Sequence, residues 1–587
     1  MNNHPRGGAA VVMHAVILIL IAAVYWPITH AGFVWDDTTS FHDQGWLHGD
    51  AWKQSVFRGF NGWINYFRPL VVLLFTAQVH AFDATAAPMH VVSLCLHLTD
   101  TILVGLLAAK LSGRHTSSHP MLRSGIPMLF YGLHPALIET VDWIGCQFEL
   151  VLTFFVLLGL LLNLHLRGTR ARALSAGLCF FLAACSKESA IAFPVLLVIL
   201  DLHTTDEARG WADLLRVVWR RQRYVYAAVF TAGLAYLLAR YWALGYLVVP
   251  TASGPMLSIT RLQQVSLTYL SYWELMIWPM QSIGLIHAVD AKQFATITPG
   301  SLAVDIAAFA LLLVGMGTFW KRRGLGALIL AGSVALLPVL NLLPLGFNEG
   351  LYHDRYATTA IAVVCALLPS LLLAPLSRHA RIAKFAVPLV AITWLGFAVA
   401  NIRVTTPLWA DEVALWQWAH RQQPDAITPK SHLLTTYIAR NDHVHARELA
   451  DELLTQEPPC QGCLLNIAFL ALSENDAARA ALALGKLKDS RVLAYDKGIL
   501  HGYVFANGML LELQGDTSGA EEAYRDAITL DPLDPVPQIT LATLLAKHAR
   551  LAEARPLAKA ALALFAPDER ARREKEFEAV IATAGRP

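Results

Sequence analysis

The sequence predicts an all-α protein in two parts, a polytopic membrane bundle followed by an α-solenoid of short helical repeats. Of its 587 residues, 55% are hydrophobic and only 15% are charged. The mean hydropathy of +0.46 is higher than a soluble globular chain carries. Long apolar runs lie before Pro407, whereas the chain after this residue is rich in alanine, arginine and acidic residues with helical periodicity. A membrane region and a water-soluble tail are therefore expected.

Eleven segments of the first part are candidates for crossing a bilayer, which takes about 20 apolar residues, or fewer when a helix is buried among others. They are residues 11–30, 89–111, 124–141, 147–166, 173–186, 190–203, 224–244, 301–320, 325–345, 357–376 and 383–402. Two further apolar stretches, 67–82 and 262–286, are interrupted by Pro69 and Pro279. We expect these two to be interfacial or re-entrant helices. The first span has no small-residue cleavage site, so it is expected to be retained.

The distribution of lysine and arginine predicts the orientation, because short cytoplasmic loops are enriched in both. With the N-terminus inside, the inner segments hold Arg6, Lys110, Arg114, Arg123, Arg167, Arg170, Arg172, Arg209, Arg216, Arg220, Arg221, Arg223, Lys321, Arg322, Arg323, Arg378, Arg381 and Lys384. The longer outer segments before the tail hold only Lys53, Arg58, Arg68, Lys187, Arg261, Lys292 and Arg355. This asymmetry favours an odd number of spans. It predicts a cytoplasmic N-terminus and a tail on the outer side of the membrane, which is periplasmic or lumenal.

The tail contains an internal repeat. Residues 501–534 and 535–568 share a 34-residue period, which is typical of tetratricopeptide repeats. Residues 427–460 fit the same frame, and residues 461–494 fit it less well. Each unit is expected to be a helical hairpin that buries its apolar face only by stacking on its neighbours. The predicted concave surface suits binding of a protein or peptide, and the alternative is a packing module for the membrane domain.

These observations give four predicted segments: a membrane domain at 1–403, a junction at 404–426, a repeat domain at 427–568 and a helical tail at 569–587. The net charge is only +2, and no basic stripe with interleaved aromatic residues occurs, so nucleic acid is not an expected partner. The sequence also has no glycine-rich nucleotide fingerprint, so a cytosolic nucleotide donor is not indicated.

Two cysteines of the tail, Cys460 and Cys463, form a CQGC motif. Two ligands do not complete a structural zinc site, which leaves a local disulfide in an oxidising compartment or two ordinary thiols. We favour the disulfide. The five remaining cysteines lie in or beside the predicted spans and are expected to be small buried hydrophobic residues.

An acidic pair follows the first span in the segment GFVWDD, where Asp36 and Asp37 stand beside Trp35. Paired carboxylates at this position can serve as a general base, or as ligands of a divalent metal together with another acidic group. They can also be a helix cap next to an interfacial tryptophan. A metal requirement is left open at this point.

Further ionisable residues occur at the ends of other spans, where they are costly and therefore candidates for function. The set comprises His134, Glu139 and Asp142 in LHPALIETVDW, Glu149 in the next span, Lys187 and Glu188 in CSKES, and Asp354, Arg355 and Tyr356 in HDRY. Lys187 and Glu188 can also be a structural ion pair with each other. Arginine offers forked donors for a phosphate, and lysine offers a compact charge. The set suits transfer of a sugar from a lipid phosphate to a hydroxyl, with a carboxylate as base and cations at the leaving phosphate.

The order and spacing of these motifs resemble the GT-C superfamily of polyprenyl-phosphate-dependent glycosyltransferases. The resemblance is closest to the transmembrane and tetratricopeptide-repeat-containing O-mannosyltransferases and their bacterial relatives, and it covers nearly the whole chain. The matching segments are FVWDD at 33–37, FRPL at 67–70, MHVVSLCLHLTD at 89–100, LHPALIETVDW at 133–143, SKESAIAFPVLLVILDL at 186–202, HDRY at 353–356 and PLWADEVALW at 407–416.

The resemblance implies an inverting transferase in which Asp36 or Asp37 is the base and Glu139 shapes the site or positions the acceptor. It implies that Arg355 binds the donor phosphate and that Lys187 is a second contact. Tyr356, His134 and Glu188 complete the expected donor-binding set. The chain departs from the family at Gln147 and Glu149, where the family has Arg followed by Asp, and at Asp354, which replaces a Glu.

The expected partners are therefore a polyprenyl-phosphate sugar donor, membrane lipids, and an exported acceptor protein or peptide bound through the repeats. Transfer to a lipid or glycan acceptor is a variant of the same chemistry. The alternative from another class is a non-catalytic membrane scaffold that recruits periplasmic partners through its repeats. In that case the charged clusters have only a structural role. A transporter is less favoured, because no inverted repeat of broken helices is evident in the sequence.

Overall fold

A computed structural model shows how the chain folds. The described residues are 5–37, 40–41, 51–58, 66–112, 120–205, 210–247, 258–279, 284–289, 291–294, 296–322, 324–342, 350–376, 380–457, 459–494, 496–565 and 567–584. Within these ranges the protein is all-helical, as predicted. The β-type pairing recorded there is a single isolated antiparallel bridge between Ala288 and Gly350.

The described chain forms two compact units. The first is built of residues 5–37 and 51–415, and the second of residues 416–584 with Ser40 and Phe41. The boundary after Leu415 lies inside the segment predicted as a junction.

The first unit contains the apolar helices. They are α1 (Pro5–Tyr25), α2 (Ala51–Arg58), α3 (Pro69–Phe82), α4 (Ala86–Leu111), α5 (Ile126–Gly132), α6 (Ile138–Asp142), α7 (Gln147–His165), α8 (Thr169–Ala184), α9 (Phe193–Thr204), α10 (Trp211–Leu244), α11 (Ile259–Ile277), α12 (Pro299–Trp320), α13 (Gly324–Leu336), α14 (Thr358–Leu376) and α15 (Ala380–Thr405). Six of them, namely α1, α4, α7, α10, α12 and α15, are long and apolar enough by length and composition to cross a membrane.

The predicted span 124–141 is wrong as a continuous helix. The segment 124–141 divides into α5, a short 3-10 turn at Pro135–Leu137, and α6. The cause is Pro135, because a proline disfavours the helical conformation of the residue before it. His134 accordingly has an extended backbone, with φ −73° and ψ 119°. The break brings the polar residues of α6 into the interior of the unit.

Burial distinguishes the helices of the first unit. The apolar stretch of α7 is 72% buried and that of α4 is 56% buried, whereas that of α12 is 11% buried. The helices α4 and α7 therefore form the core of the bundle, and α12 presents most of its apolar surface outward. Such exposed apolar surface suits contact with lipid.

The second unit is a series of shorter helices. They are α16 (Glu412–Gln422, which begins before the boundary), α17 (Ile427–Ala439), α18 (His443–Thr455), α19 (Gln461–Ser473), α20 (Ala477–Lys488), α21 (Lys497–Leu513), α22 (Thr517–Leu530), α23 (Pro535–Lys547), α24 (Leu551–Leu562) and α25 (Pro567–Ala584). From α17 to α24, the helices pair as the four predicted hairpins. At Gly508 of α21, a Cβ atom would lie only 2.7 Å from the Tyr524 ring of α22, so this close approach requires a glycine.

Local features explain where these helices begin. Aspartate side chains accept amide hydrogen bonds at the starts of α18, α20, α21, α22 and α23, which satisfies donors that have no partner within the helix. Cys460 precedes α19 and forms a disulfide with Cys463, with 5.2 Å between their Cα atoms. The predicted disulfide is thus confirmed.

Candidate functional site

The polar motifs of the first unit come together in space. Trp35, after α1, stacks on Trp143, after α6, with 4.5 Å between their ring centroids. Asp37 Oδ1 accepts a hydrogen bond from the Gly145 amide at 2.8 Å. Trp35 has a φ of +59°, a conformation that is uncommon for a bulky residue and that turns the chain between α1 and the acidic pair. The segments GFVWDD and LHPALIETVDW therefore form one wall of the site.

The two adjacent aspartates have different surroundings. Asp37 is fully buried, and burial raises its pKa well above the usual value, although the Gly145 amide opposes this shift. Asp36 remains accessible to solvent at its surface. The surrounding protein removes part of the hydration of the Asp36 carboxylate, which raises its pKa, and the positive charge of Arg355 opposes this shift. Asp37 is thus suited to anchoring the loop, and Asp36 is the carboxylate that an external molecule can reach.

Arg355 is held by Glu139. The guanidinium donates to Glu139 Oε1, and the backbone amide of Arg355 donates to Oε2 at 3.0 Å. Both residues are buried, so each charge depends on the other for compensation. The Arg355 guanidinium carbon lies 5.2 Å from the Trp143 ring centroid and 5.5 Å from that of Trp35. Glu139 therefore fixes the orientation of Arg355 against the tryptophan stack.

Lys187 lies beside this arrangement and pairs with Glu149 at the start of α7. Its Nζ atom is 4.0 Å from the Tyr356 ring centroid and 5.2 Å from that of Phe148. Burial lowers the pKa of Lys187, and Glu149 opposes this shift. The Arg355 guanidinium carbon lies 4.7 Å from the Tyr356 ring centroid. The Tyr356 ring therefore contacts both Arg355 and Lys187.

Glu188 does not pair with Lys187, so the alternative in which these neighbours form an ion pair with each other is wrong. Its carboxylate accepts from Arg68 at 2.9 Å and from Arg240 at 3.1 Å. Burial raises the pKa of Glu188, but the two arginines outweigh this effect and bring the pKa below its usual value. The extended backbone of Lys187, with φ −160° and ψ 147°, sends the two adjacent side chains to different partners.

A line of alternating cations and aromatic rings connects these pairs, and we call it the cation row. Arg68 lies 4.8 Å from the Phe148 ring centroid, and Phe148 also contacts Lys187. The cation row consists of Arg355, Tyr356, Lys187, Phe148 and Arg68. Each cation of the row also has a carboxylate partner, namely Glu139 for Arg355, Glu149 for Lys187 and Glu188 for Arg68, so the rings and the carboxylates together hold the cations in fixed positions.

Two predicted site residues have other roles. His134 contacts the Met276 carbonyl oxygen at 3.1 Å through Nε2 and accepts from the Ala136 amide through Nδ1. Both ring nitrogens are thus engaged with the backbone. Asp354 contacts His287 Nε2 at 2.7 Å and accepts from the Gly284 amide at 3.2 Å. These two residues fix loops that border the cation row.

The site does not fit a metal centre on its present geometry. Across the described ranges, no three His, Cys, Asp or Glu side chains come close enough together to hold a metal ion. Asp36 and Asp37 are two carboxylates, and Glu139 is engaged by Arg355. We therefore assign no metal ligands and derive no reaction step through a metal.

Sequence reasoning did not assign site roles to Arg68, Arg240 and Phe148, and it named Glu149 as a candidate without predicting its pairing with Lys187. A signal for Glu149 was present, because a lysine in an apolar hairpin requires a counterion and the start of α7 offers one. Arg68 was recognised only as part of FRPL. Its contact with Glu188 joins residues 120 positions apart, a separation that no local pattern predicts.

Comparison with known proteins adds no assignment, since neither a scan against protein-family models nor a search of curated proteins gives a match to this chain.

Proposed function

We propose that the protein is a membrane glycosyltransferase that moves a sugar from a polyprenyl-phosphate donor to a hydroxyl group. The observation that carries this proposal is the accessible carboxylate of Asp36 within electrostatic reach of Arg355, whose guanidinium is oriented by Glu139. Such a displacement needs a base that takes the proton of the attacking oxygen and a fixed cation that stabilises the leaving phosphate.

The proposed reaction is a single inverting displacement. The acceptor hydroxyl gives its proton to Asp36 while its oxygen attacks the anomeric carbon. The bond between this carbon and the phosphate oxygen breaks, and the electron pair leaves with the polyprenyl phosphate. Arg355 and Lys187 stabilise the negative charge that develops on the phosphate. Holding the donor and the acceptor together in the site lowers the activation free energy further, relative to the reaction in solution.

Asp36 is a better candidate for the base than Asp37. The Asp37 carboxyl is fully enclosed and holds the Gly145 amide, so an acceptor cannot approach it without opening the loop. A general base must lie within hydrogen-bond reach of the proton that it removes. Asp37 then acts as a positioning residue, because its bond to Gly145 connects the first outer loop to the tryptophan stack.

The wider architecture belongs to the same proposal. An odd number of crossings with the N-terminus in the cytoplasm, which the charge asymmetry favours, would put the site and the tail on the outer side, and the membrane of this proposal is a bacterial inner membrane with the tail in the periplasm. The four helical hairpins of the second unit then act as tetratricopeptide repeats that select or present an exported acceptor protein through Ser or Thr. The apolar surface of helices such as α12 would face lipid.

The test compares cells that lack this chain with cells that carry wild type, Asp36→Asn or Asp83→Asn. Asp83 is an exposed carboxylate at the end of α3 and is the matched control. Intact masses of exported proteins and the pool of polyprenyl-phosphate sugars are measured in each strain. We expect wild type and Asp83→Asn to restore a sugar-sized adduct, and Asp36→Asn to lower its rate of formation by about 100-fold or more.

The other outcomes separate the alternatives. Consumption of the donor lipid without a protein adduct, with the sugar recovered on another lipid or glycan, would assign a lipid or glycan acceptor. If Asp36→Asn rescues the phenotype of the cells that lack this chain as fully as wild type does, with unchanged adducts and unchanged donor lipid, the result would contradict an enzyme and favour a scaffold.

A further inference from the structure

A second group of ionisable side chains lies in the first unit, and the proposed transfer reaction does not use it. We call it the Tyr-Asp cluster, and its members are Tyr25, His97, Asp100, Tyr131 and Asp142. Each of these side chains is completely or almost completely enclosed, with a relative exposure of 0%. They come from the end of α1, from α4, from α5 and from the end of α6, which are separate in sequence.

Ring contacts join three of the members. The His97 ring centroid lies 5.4 Å from that of Tyr25 and 5.4 Å from that of Tyr131. Asp142 acts electrostatically on Tyr25, and Asp100 acts on Tyr131. His97 Nε2 lies 3.0 Å from the Gly132 carbonyl oxygen. Because that oxygen only accepts, Nε2 carries a hydrogen, and Nδ1 of the neutral ring is an acceptor.

Most polar atoms of the cluster have no hydrogen-bond partner among the described residues. They are the hydroxyls of Tyr25 and Tyr131, Nδ1 of His97 and both carboxyl oxygens of Asp100, whereas the side chain of Thr406 is a hydrogen-bond partner for the Asp142 carboxyl. Buried polar groups in native proteins are almost always satisfied, so a concentration of such atoms indicates a bound species that completes the set. Internal water requires two to four polar partners, and a group of this kind supplies them.

Neither carboxyl has a nearby cation to balance a negative charge. In the described part of the chain, Thr406 is the polar neighbour recorded for Asp142, and no lysine or arginine acts on Asp100 or Asp142. Among the described residues, Cys365 of α14 also acts electrostatically on Tyr131. An unpaired buried carboxylate is so costly that a carboxyl in this position takes up a proton instead.

We propose that the Tyr-Asp cluster is a proton-binding site, in which Asp100 and Asp142 are carboxylic acids at neutral pH and internal water joins them to the two tyrosines and His97. This arrangement satisfies every member. Each carboxyl hydroxyl donates, Nδ1 of His97 accepts, and each tyrosine hydroxyl can do both. The site does not depend on the proposed sugar transfer.

The position of the cluster gives it a connection to the candidate functional site. Asp142 immediately precedes Trp143, which stacks on Trp35 and faces Arg355. Asp100 lies in the middle of α4, one of the core helices. The cluster thus extends from the wall of the candidate site into the core of the bundle. Chains of buried acids and hydroxyls in membrane proteins are typical of proton relays.

Infrared spectroscopy of the full chain in lipid nanodiscs tests the proposal, because a protonated carboxyl has a carbonyl stretching band apart from the carboxylate bands. Asp37 is also buried, so three acids are expected to contribute in wild type. We expect Asp100→Asn and Asp142→Asn each to remove about a third of the band, and Asp83→Asn to leave it unchanged. Transfer to heavy water should shift the Asp100 and Asp142 components if water reaches them.

The wild-type spectrum alone keeps the proposal testable if a variant does not fold. Absence of the protonated band from wild type at neutral pH would overturn it, as would a band that Asp37→Asn removes completely. Replacement of the band by carboxylate bands on addition of sodium chloride, but not of choline chloride, would show a cation site instead. A wild-type protein that shows the band but no sugar transfer would contradict only the proposed function. A wild-type protein that transfers the sugar but shows no band would contradict only the proton site.

Discussion

The two units of the protein use the same kind of ion pair in opposite ways. In the first unit, the side chains of Arg355 and Glu139 are only 10% and 4% exposed. In the second unit, Arg525 of α22 and its partner Glu521 are 52% and 21% exposed. The first pair joins residues 216 positions apart, whereas the second joins successive turns of one helix.

This difference determines what each pair can do. A buried pair loses its hydration, so it adds little net stability when intact but is very costly to break. An exposed pair keeps most of its hydration, so it adds little net stability when it is intact and costs little to break. A chain that keeps several buried pairs in an apolar bundle therefore uses them to position charge.

The largest expected effect comes from breaking the Arg355 pair. Arg355→Ala leaves the Glu139 carboxylate buried without a counterion, so we expect the free energy of unfolding to fall by about 3–5 kcal/mol. Unfolding by denaturant in lipid nanodiscs, followed by tryptophan fluorescence, measures this change. Proposed sugar transfer is expected to be lost at the same time.

A double variant separates stability from function at this site. Arg355→Met with Glu139→Gln removes both charges and should recover most of the lost stability, but it should not recover sugar transfer, because no cation remains at the phosphate. A destabilisation by Arg355→Ala of less than 1 kcal/mol, roughly the range of exposed pairs, would show that the comparison between the two units is wrong.

The covalent link in the tail gives the next effect. Replacing Cys460 and Cys463 by serine opens a loop with a sequence separation of 3. The entropy of so short a loop corresponds to about 2 kcal/mol of stability. Hydrogen exchange in α19 is the measurement, with α23 as internal reference. Equal protection of α19 in the variant and in wild type would show that the disulfide does not stabilise this hairpin.

The helices of both units could be predicted from sequence because each depends on local pattern. Apolar runs of suitable length gave α4 and α7, and the 34-residue period gave the paired helices of the tail. The error at 124–141 has a local cause as well, since Pro135 interrupts the helix. The mean hydropathy of the segment does not detect such a break, whereas the steric effect of a proline on the residue before it predicts one.

The candidate site could be predicted only in part. Ionisable residues in apolar surroundings are rare, which identified Asp36, Glu139, Lys187 and Arg355 without any structure. Their partners depend on how the helices pack, and the sequence does not contain that information in local form. His134 shows the reverse problem, because a histidine with both nitrogens engaged by the backbone has the same sequence signature as a ligand-binding one.

A smaller effect is expected at a half-buried pair in the tail. The hydrogen bond that the His501 ring donates to the Asp534 carboxylate raises the pKa of His501, and burial opposes the shift. The folded chain therefore binds this proton more tightly than the unfolded chain does. The stabilisation is fully present below the ordinary histidine pKa and is lost as pH rises through the raised value.

Hydrogen exchange of α21 and α23 between mildly acidic and mildly alkaline pH, corrected for the intrinsic pH dependence, checks this sign. We expect the opening free energy to fall by about 1 kcal/mol as pH rises. His501→Gln should abolish the dependence. A dependence of equal size in that variant would assign it to another group.

The smallest effect is expected at the exposed pair that opened the comparison. A double-mutant cycle with Arg525→Ala and Glu521→Ala should give a coupling of only about 0.3–0.5 kcal/mol, because both charges keep most of their hydration. Glu521 also accepts from Arg550 of the next hairpin at 2.6 Å, so the cycle should be repeated in an Arg550→Ala background. If the coupling stays in this range and decreases further in high salt, exposure sets the strength of these pairs. A coupling above 2 kcal/mol would mean that Glu521, Arg525 and Arg550 act as a network, and the tail would then share with the first unit a dependence on fixed charge.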